Sequence, residues 1–195
     1  MEMEGVIKMI TVCFTGHRPS KLGGYDWNDK FNVKIRDNIK EVLETLLKHY
    51  PNEQFHFIFG GALGFDQFAT QVALELKNEY KNRKITLEIA VPFKNQPNKW
   101  FNKEDIKRYN NQLKLTDKVT YVDKLEKYKI PGFKEGLYHP VKMQKRNEYM
   151  VDNSNIIIAY WDSSKSGTGN CIRYAKKKNR KVINIYDKIN NKNRR

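Results

Sequence analysis

Two rhythms of apolar residues alternate along this chain. Short continuous runs rich in β-branched and aromatic residues recur at 10–16 (ITVCFTG), 55–61 (FHFIFGG), 85–91 (ITLEIAV) and 155–161 (NIIIAYW), with weaker ones at 118–123 (KVTYVD) and 181–187 (KVINIYD). Runs of this length, several of them stopped by glycine or a charge, predict buried strands. Between them the apolar positions take helical spacing. Ile35, Ile39, Val42, Leu43, Leu46 and Leu47 form one stripe, closed by Pro51. Phe65, Phe68, Ala69, Val72, Ala73 and Leu76 form a second, and weaker stripes predict helices over 98–115, 143–152 and 168–178.

The segment 124–140 carries Pro131, Gly132, Gly136 and Pro140 and is expected to be an irregular loop; the tail KINNKNRR, 188–195, is expected to be disordered. No repeat or linker interrupts the pattern. Residues 1–187 therefore read as one three-layer α/β domain around a mainly parallel sheet, since strands that alternate with helices build that architecture. The fully apolar run at 155–161 suits a strand covered on both faces.

Composition narrows the function classes. At 195 residues and 39% hydrophobic content the chain can bury one substantial core. No run approaches the roughly 20 apolar residues that cross a bilayer, and the start MEMEGVIKMI lacks the basic flank and apolar stretch of a signal peptide. The expected location is the cytoplasm, with no membrane partner. Cys13 and Cys171 make neither a ligand pair nor a disulfide framework, which suits a reducing compartment, and neither a metal site nor a resident cofactor is expected. The net charge of +15 would attract phosphates or nucleic acid, but a chain so rich in Asn, Ile and Tyr can owe its lysines to composition.

In an open parallel sheet the ligand crevice lies beyond the carboxyl ends of the strands, so the strand-to-helix junctions are the places to search. Three stand out. TGHRP brings Thr15, Gly16, His17 and Arg18 to the end of the first strand, where Arg18 suits bidentate phosphate contact and His17 either a ligand contact or a structural hydrogen bond. GGALGFD places Gly60, Gly61 and Gly64 before the second helix, as a phosphate cradle or simply a tight turn. Asp66 there either complements the helix dipole or accepts from a ribose hydroxyl. In DSSKSGTGNC, Ser166, Gly167, Thr168 and Gly169 could surround a phosphate with hydroxyls and amides, with Lys165 or Arg173 adding charge if turned inward. The loop lacks the Gly-Lys-Ser/Thr ending of a Walker A motif, and the first strand lacks Gly-x-Gly-x-x-Gly. Among Trp100, Phe101, Tyr160 and Trp161, which serve either as core or as a stacking surface, Trp161 at a strand end is the better candidate for a base.

TGHRP, GGALGFDQFA, VPF, KRNEYMVDNSNIIIAYWD and SGTGN, in this order, resemble the YpsA-like family of the SLOG superfamily, a Rossmann-like group that includes the LOG nucleotide hydrolases and the DNA-processing protein DprA. The resemblance implies a site for a nucleotide derivative, ADP-ribose-like or a nucleoside phosphate, between the GGALGFD and SGTGN loops. It implies that Arg146 and Asn147 point into the crevice, Asn147 having the alternative of a helix-to-loop hydrogen bond, and that a homo-oligomer with a paired site is plausible.

One departure bears on catalysis. Where LOG enzymes carry a glutamate after Gly-Thr, this chain has Cys171, either a reactive thiol or a small helix-start residue. A thiol does not replace a carboxylate that stabilises an oxocarbenium ion or activates water. The expectation is thus a binder without turnover, a sensor or sequestering protein. The alternatives are a hydrolase of altered mechanism using Asp66 or Glu148, and a DprA-like single-strand nucleic acid binder using the basic segment 173–181.

Overall fold

The computed structural model describes residues 7–190. Six strands, β1 (Met9–Gly16), β2 (Gln54–Phe59), β3 (Ile85–Val91), β4 (Lys118–Tyr121), β5 (Ile156–Tyr160) and β6 (Lys181–Asn184), form one sheet in the order β4-β3-β2-β1-β5-β6. Every neighbouring pair is parallel. Six helices accompany them: α1 (Lys30–His49), α2 (Phe65–Glu79), α3 (Lys103–Leu115), α4 (Pro140–Asp152), α5 (Gly167–Lys177) and α6 (Tyr186–Asn190).

Alternation along the strands builds the three layers, because successive side chains leave a strand on opposite faces. On β1, Val12 and Phe14 join the larger core with α1, α2 and α6, whereas Cys13 faces the smaller core with α4 and α5. The first face is filled by large rings, with Phe14 stacked on Phe59 at 4.7 Å. The second uses small residues such as Cys13, Ala90, Cys171 and Ala175. β5 is buried along its whole length, as its unbroken apolar run requires.

Capping explains where several helices begin. Asp29 accepts from the amides of Phe31 and Asn32 at the start of α1, and Ser166 accepts from the Gly169 amide at the start of α5. Asn102 does the same for α3, and this divides the helix expected over 98–115 into a short 3-10 turn, Gln96–Lys99, and α3 proper. Two other expectations change. The last strand ends at Asn184, and the chain expected to be disordered from 188 continues as α6 to Asn190, because Ile189 is fully buried in the larger core. The rest of that tail lies outside the described residues.

The 124–140 loop is irregular apart from 3-10 turns at Val122–Lys124 and Glu126–Tyr128 and the start of α4 at Pro140, but it is firmly tied. Lys142 of α4 meets Asp123 at 2.9 Å with both side chains buried, and also donates to the Lys134 carbonyl, while Asp123 accepts from the Gly136 amide. No helix among the described residues is long and apolar enough to cross a membrane.

Candidate functional site at the sheet switch point

The strand order reverses between β1 and β5: β1 through β4 proceed to one side, and β5 and β6 to the other. At such a switch point the two flanking loops diverge and open a crevice beyond the carboxyl ends of the strands. A cleft of about 140 Å³ lies there, lined by the β1 end (Thr15 to Arg18), Ala62 and Asp66, Met143, Arg146 and Asn147 of α4, and Ser166, Gly167 and Thr168. Three separate junctions of the sequence therefore meet in one place.

The junctions differ in what they contribute. At the GGALGFD turn, Gly60, Gly61 and Gly64 serve the backbone rather than line the cleft. Gly61 and Gly64 have φ of +62° and +87°, a region that favours glycine. A Cβ on Gly60 would collide with the Arg146 guanidinium, and one on Gly64 would sit 2.7 Å from the His17 carbonyl oxygen. The glycines let this turn pack against α4 and against the β1 end. The Phe65 amide donates to that same His17 carbonyl at 3.2 Å.

Asp66 occupies the anion position that the start of α2 offers. Its side chain is buried, accepts from the Ala62 amide at 3.3 Å, and lies 3.7 Å from the Arg146 guanidinium. Burial pushes its carboxyl above the usual range, against the opposing pull of Arg146, Arg18 and nearby amides. It is the sole carboxylate among the described residues that line the cleft.

Arg146 and Asn147 brace the two loops. The Arg146 guanidinium donates to the Gly60 carbonyl, and its Nε donates to Asn147 Oδ1 at 3.1 Å. Asn147 Nδ2 donates in turn to the Gly167 carbonyl at 3.4 Å. Both residues line the cleft, and Asn147 makes the helix-to-loop bond that was its alternative reading.

The first junction is split in role. His17 is buried and its Nε2 lies 2.8 Å from Asp162 Oδ1, so the ring ties the end of β1 to the loop after β5. Burial lowers its pKa against the pull of Asp162, while hydrogen bonds from Ser164 and Lys21 hold Asp162 well below the usual carboxylate range. Arg18, in contrast, is exposed and its guanidinium has no hydrogen-bond or ion-pair partner among the described residues. It is the lining cation left without a hydrogen bond, although the Asp66 carboxylate attracts it.

At the third junction the α5 N-terminus faces the cleft through Gly167 and Thr168, with Ser166 as cap. A Cβ on Gly167 would meet open space. Gly169 lies behind this wall, where Trp161 packs on it and donates from its indole to the Ser164 carbonyl at 2.8 Å. Trp161 thus braces the loop and is not a cleft wall. Lys165 is exposed and outside the lining, and Arg173 is turned to Asn170 on the surface of α5. Neither adds charge to the cleft. Cys171 is fully buried and burial pushes its thiol up to about 12, the opposite of what a reactive thiolate needs.

Sequence reasoning missed Met143, Lys21 and Asp162. Met143 had a usable signal, since it stands three and four residues before Arg146 and Asn147, on the same face of α4. Lys21, which bridges Asp162 and Ser164, and Asp162 itself had none, because their pairing crosses about 140 residues of chain.

A profile of the YspA SLOG family matches residues 12–190. The chain belongs to the YspA SLOG family. Among relatives, the SPbeta prophage-derived protein YoqJ of Bacillus subtilis is 43% identical over 145 residues, which is 74% of this chain and 82% of YoqJ. A UPF0398 protein of Bacillus thuringiensis is 27% identical over 179 residues, 91% of this chain and 88% of its own. Two solved structures share the fold of this SLOG chain. DNA processing protein A (DprA) of Streptococcus pneumoniae superposes with a TM-score of 0.56 at 15% identity, over 89% of this chain and 49% of that one. DprA of Helicobacter pylori, described for its single-stranded DNA binding mode, superposes with a TM-score of 0.54 at 17% identity, over 89% of this chain and 63% of its own. The SLOG chain thus spans about half to under two-thirds of the DprA chains.

Proposed function

We propose that the cleft binds the phosphate of a nucleotide-derived small molecule, ADP-ribose-like or a nucleoside phosphate, and holds it without turnover, so that the protein acts as a sensor or sequestering protein. The observation that carries this reading is the pairing of the unpartnered Arg18 guanidinium with the open α5 N-terminus at Gly167 and Thr168 across one cleft. An anion between them gains free amides, the positive end of the helix and a charged donor together. Thr15 and Thr168 supply hydroxyls around it, Ser166 caps the helix that presents the amides, and Arg146 with Asn147 holds the two walls at their spacing.

The acids of the site favour binding over turnover. Cys171 stands where the LOG resemblance expects glutamate, and its thiol is buried away from the cleft contents. Asp66 lines the cleft, but its oxygen is engaged by the Ala62 amide and faces Arg146, a role in positioning rather than in activating water.

Gly167→Glu is the direct test, because the new side chain has room and brings a negative charge to the phosphate position. Calorimetry with AMP and ADP-ribose should show saturable binding to the native protein and at least a tenfold loss in the variant, with thermal unfolding unchanged. Chromatography of the mixtures should show no released base. Release of base that depends on Asp66 would replace this reading with the hydrolytic one.

A further inference from the structure

The phosphate cleft does not end at Arg18. Arg18 and Met143 also line a second hollow of about 340 Å³, whose other walls include Tyr25, Phe93, Trp100 and Tyr138. The two spaces therefore adjoin across those two side chains. They differ in chemistry: the first is lined largely by polar and charged groups, while the second carries four aromatic rings together with Pro19, Leu63 and Met143. Alone, the first is smaller than the roughly 300–1,000 Å³ of ordinary small-molecule sites, and the second falls within that range.

We infer that the aromatic hollow is the base subsite of the same ligand, a nucleoside monophosphate or its derivative that spans Arg18 with its phosphate at α5 and its base between Trp100 and Tyr138. This rests on the phosphate reading above and adds to it where the ligand's selectivity lies. Three features argue for a planar base there. Tyr25 and Tyr138 are 56% and 52% exposed, which for rings beside a polar cleft is surface left available for contact. The rings are held rather than loose: Trp100 meets Tyr109 edge-on at 5.1 Å, and Tyr138 meets Phe93 edge-on at 5.8 Å with Lys99 4.5 Å above its ring. Braced in this way, Trp100 and Tyr138 need little ordering to stack, Tyr138 through the face that Lys99 does not cover.

Polar groups at the rim supply discrimination. Gln96 is buried and committed to the glycine turn, donating to the Gly60 and Gly61 carbonyls at 3.4 Å, so it ties the hollow's wall to that turn. The Asn95 side chain lines the hollow, is exposed, and has no hydrogen-bond partner among the described residues. It offers one donor and one acceptor to a base edge.

The test compares AMP with ribose 5-phosphate, which keeps the phosphate and sugar and lacks the base, by calorimetry on the native protein and on Tyr138→Ala and Trp100→Leu. Stacking on aromatic side chains contributes enough that AMP should bind roughly 5- to 100-fold more tightly than ribose 5-phosphate. Each substitution should reduce that advantage and leave ribose 5-phosphate affinity unchanged, which also shows the variant to be folded. Equal affinity of the native protein for the two probes, or an AMP advantage that survives both substitutions, overturns the base subsite while the phosphate reading stands. Failure of both probes to bind overturns both. Tight binding of an oligodeoxythymidylate that AMP does not displace would assign the hollow to a single strand instead.

Discussion

Gly64 and Gly167 look alike in the sequence, each opening a helix beyond a strand, yet their surroundings are opposite. Gly64 sits at φ +87° with the His17 carbonyl against the space where a Cβ would be, so it is required by the fold. Gly167 has open space around it and faces the cleft, so it is the glycine that a ligand would notice. Cys171 shows the same gap between type and setting. Its position in the motif suggests chemistry, while its setting is apolar and closed. Native protein at pH 8 should leave both Cys13 and Cys171 unlabelled by a thiol-specific chromogenic reagent, with stoichiometric labelling once the chain is unfolded. Fast labelling of Cys171 in the folded protein would return it to the list of reactive groups.

Elements are joined here by buried charge as well as by apolar packing. Glu88 on β3 is 1% exposed and accepts from the Tyr149 hydroxyl of α4 at 2.6 Å, with His56 of β2 and Lys118 of β4 each 3.0 Å away. Burial alone would raise its pKa, but these partners outweigh it and bring the carboxyl from an ordinary 4.5 down to about 2. A carboxylate depressed in the folded state stabilises the fold above its unfolded pKa, and that contribution fades as pH falls from 4.5 toward 2. Urea denaturation across that window should show a steep loss of stability in the native protein and a flatter profile in Glu88→Gln.

The strands that carry this network were legible in the sequence, because a continuous apolar run has few other uses. The cross-sheet partners were not, since they join positions separated by 30 to 61 residues. The 98–115 stretch misled for a related reason: its helical pattern is real only beyond Asn102, whose side chain accepts from the Glu104 amide and so starts α3 there.

For the molecule as a whole, the formal charge of +15 sets up two competing expectations. A general polyanion surface would bind through many phosphates, and its affinity would fall steeply with salt, by a slope of about −0.7 per phosphate neutralised on a single strand. A cleft that holds one phosphate against Arg18 and helix amides releases few counterions. AMP affinity measured between low and physiological salt should therefore change only a few-fold. A drop of a hundredfold or more would argue that the surface lysines, rather than the cleft, dominate recognition.

The sequence by itself determined the strand and helix alternation, the family and the three junctions that meet at the cleft, because each is written locally in apolar spacing, glycine and capping residues. It could not tell which members of those junctions line the cleft. That was decided when the crossover between β1 and β5 brought residues from four distant segments within hydrogen-bonding reach. There Gly60, Gly64, His17 and Trp161 became braces, Asp66 became a partner for Arg146, and Arg18 was left lining one cleft with the α5 N-terminus. Of the aromatic hollow beyond Arg18 the sequence offered only Trp100, as one of several candidate stacking rings, since Tyr25, Trp100 and Tyr138 share a wall only after the 124–140 loop is fastened to α4 by Asp123 and Lys142.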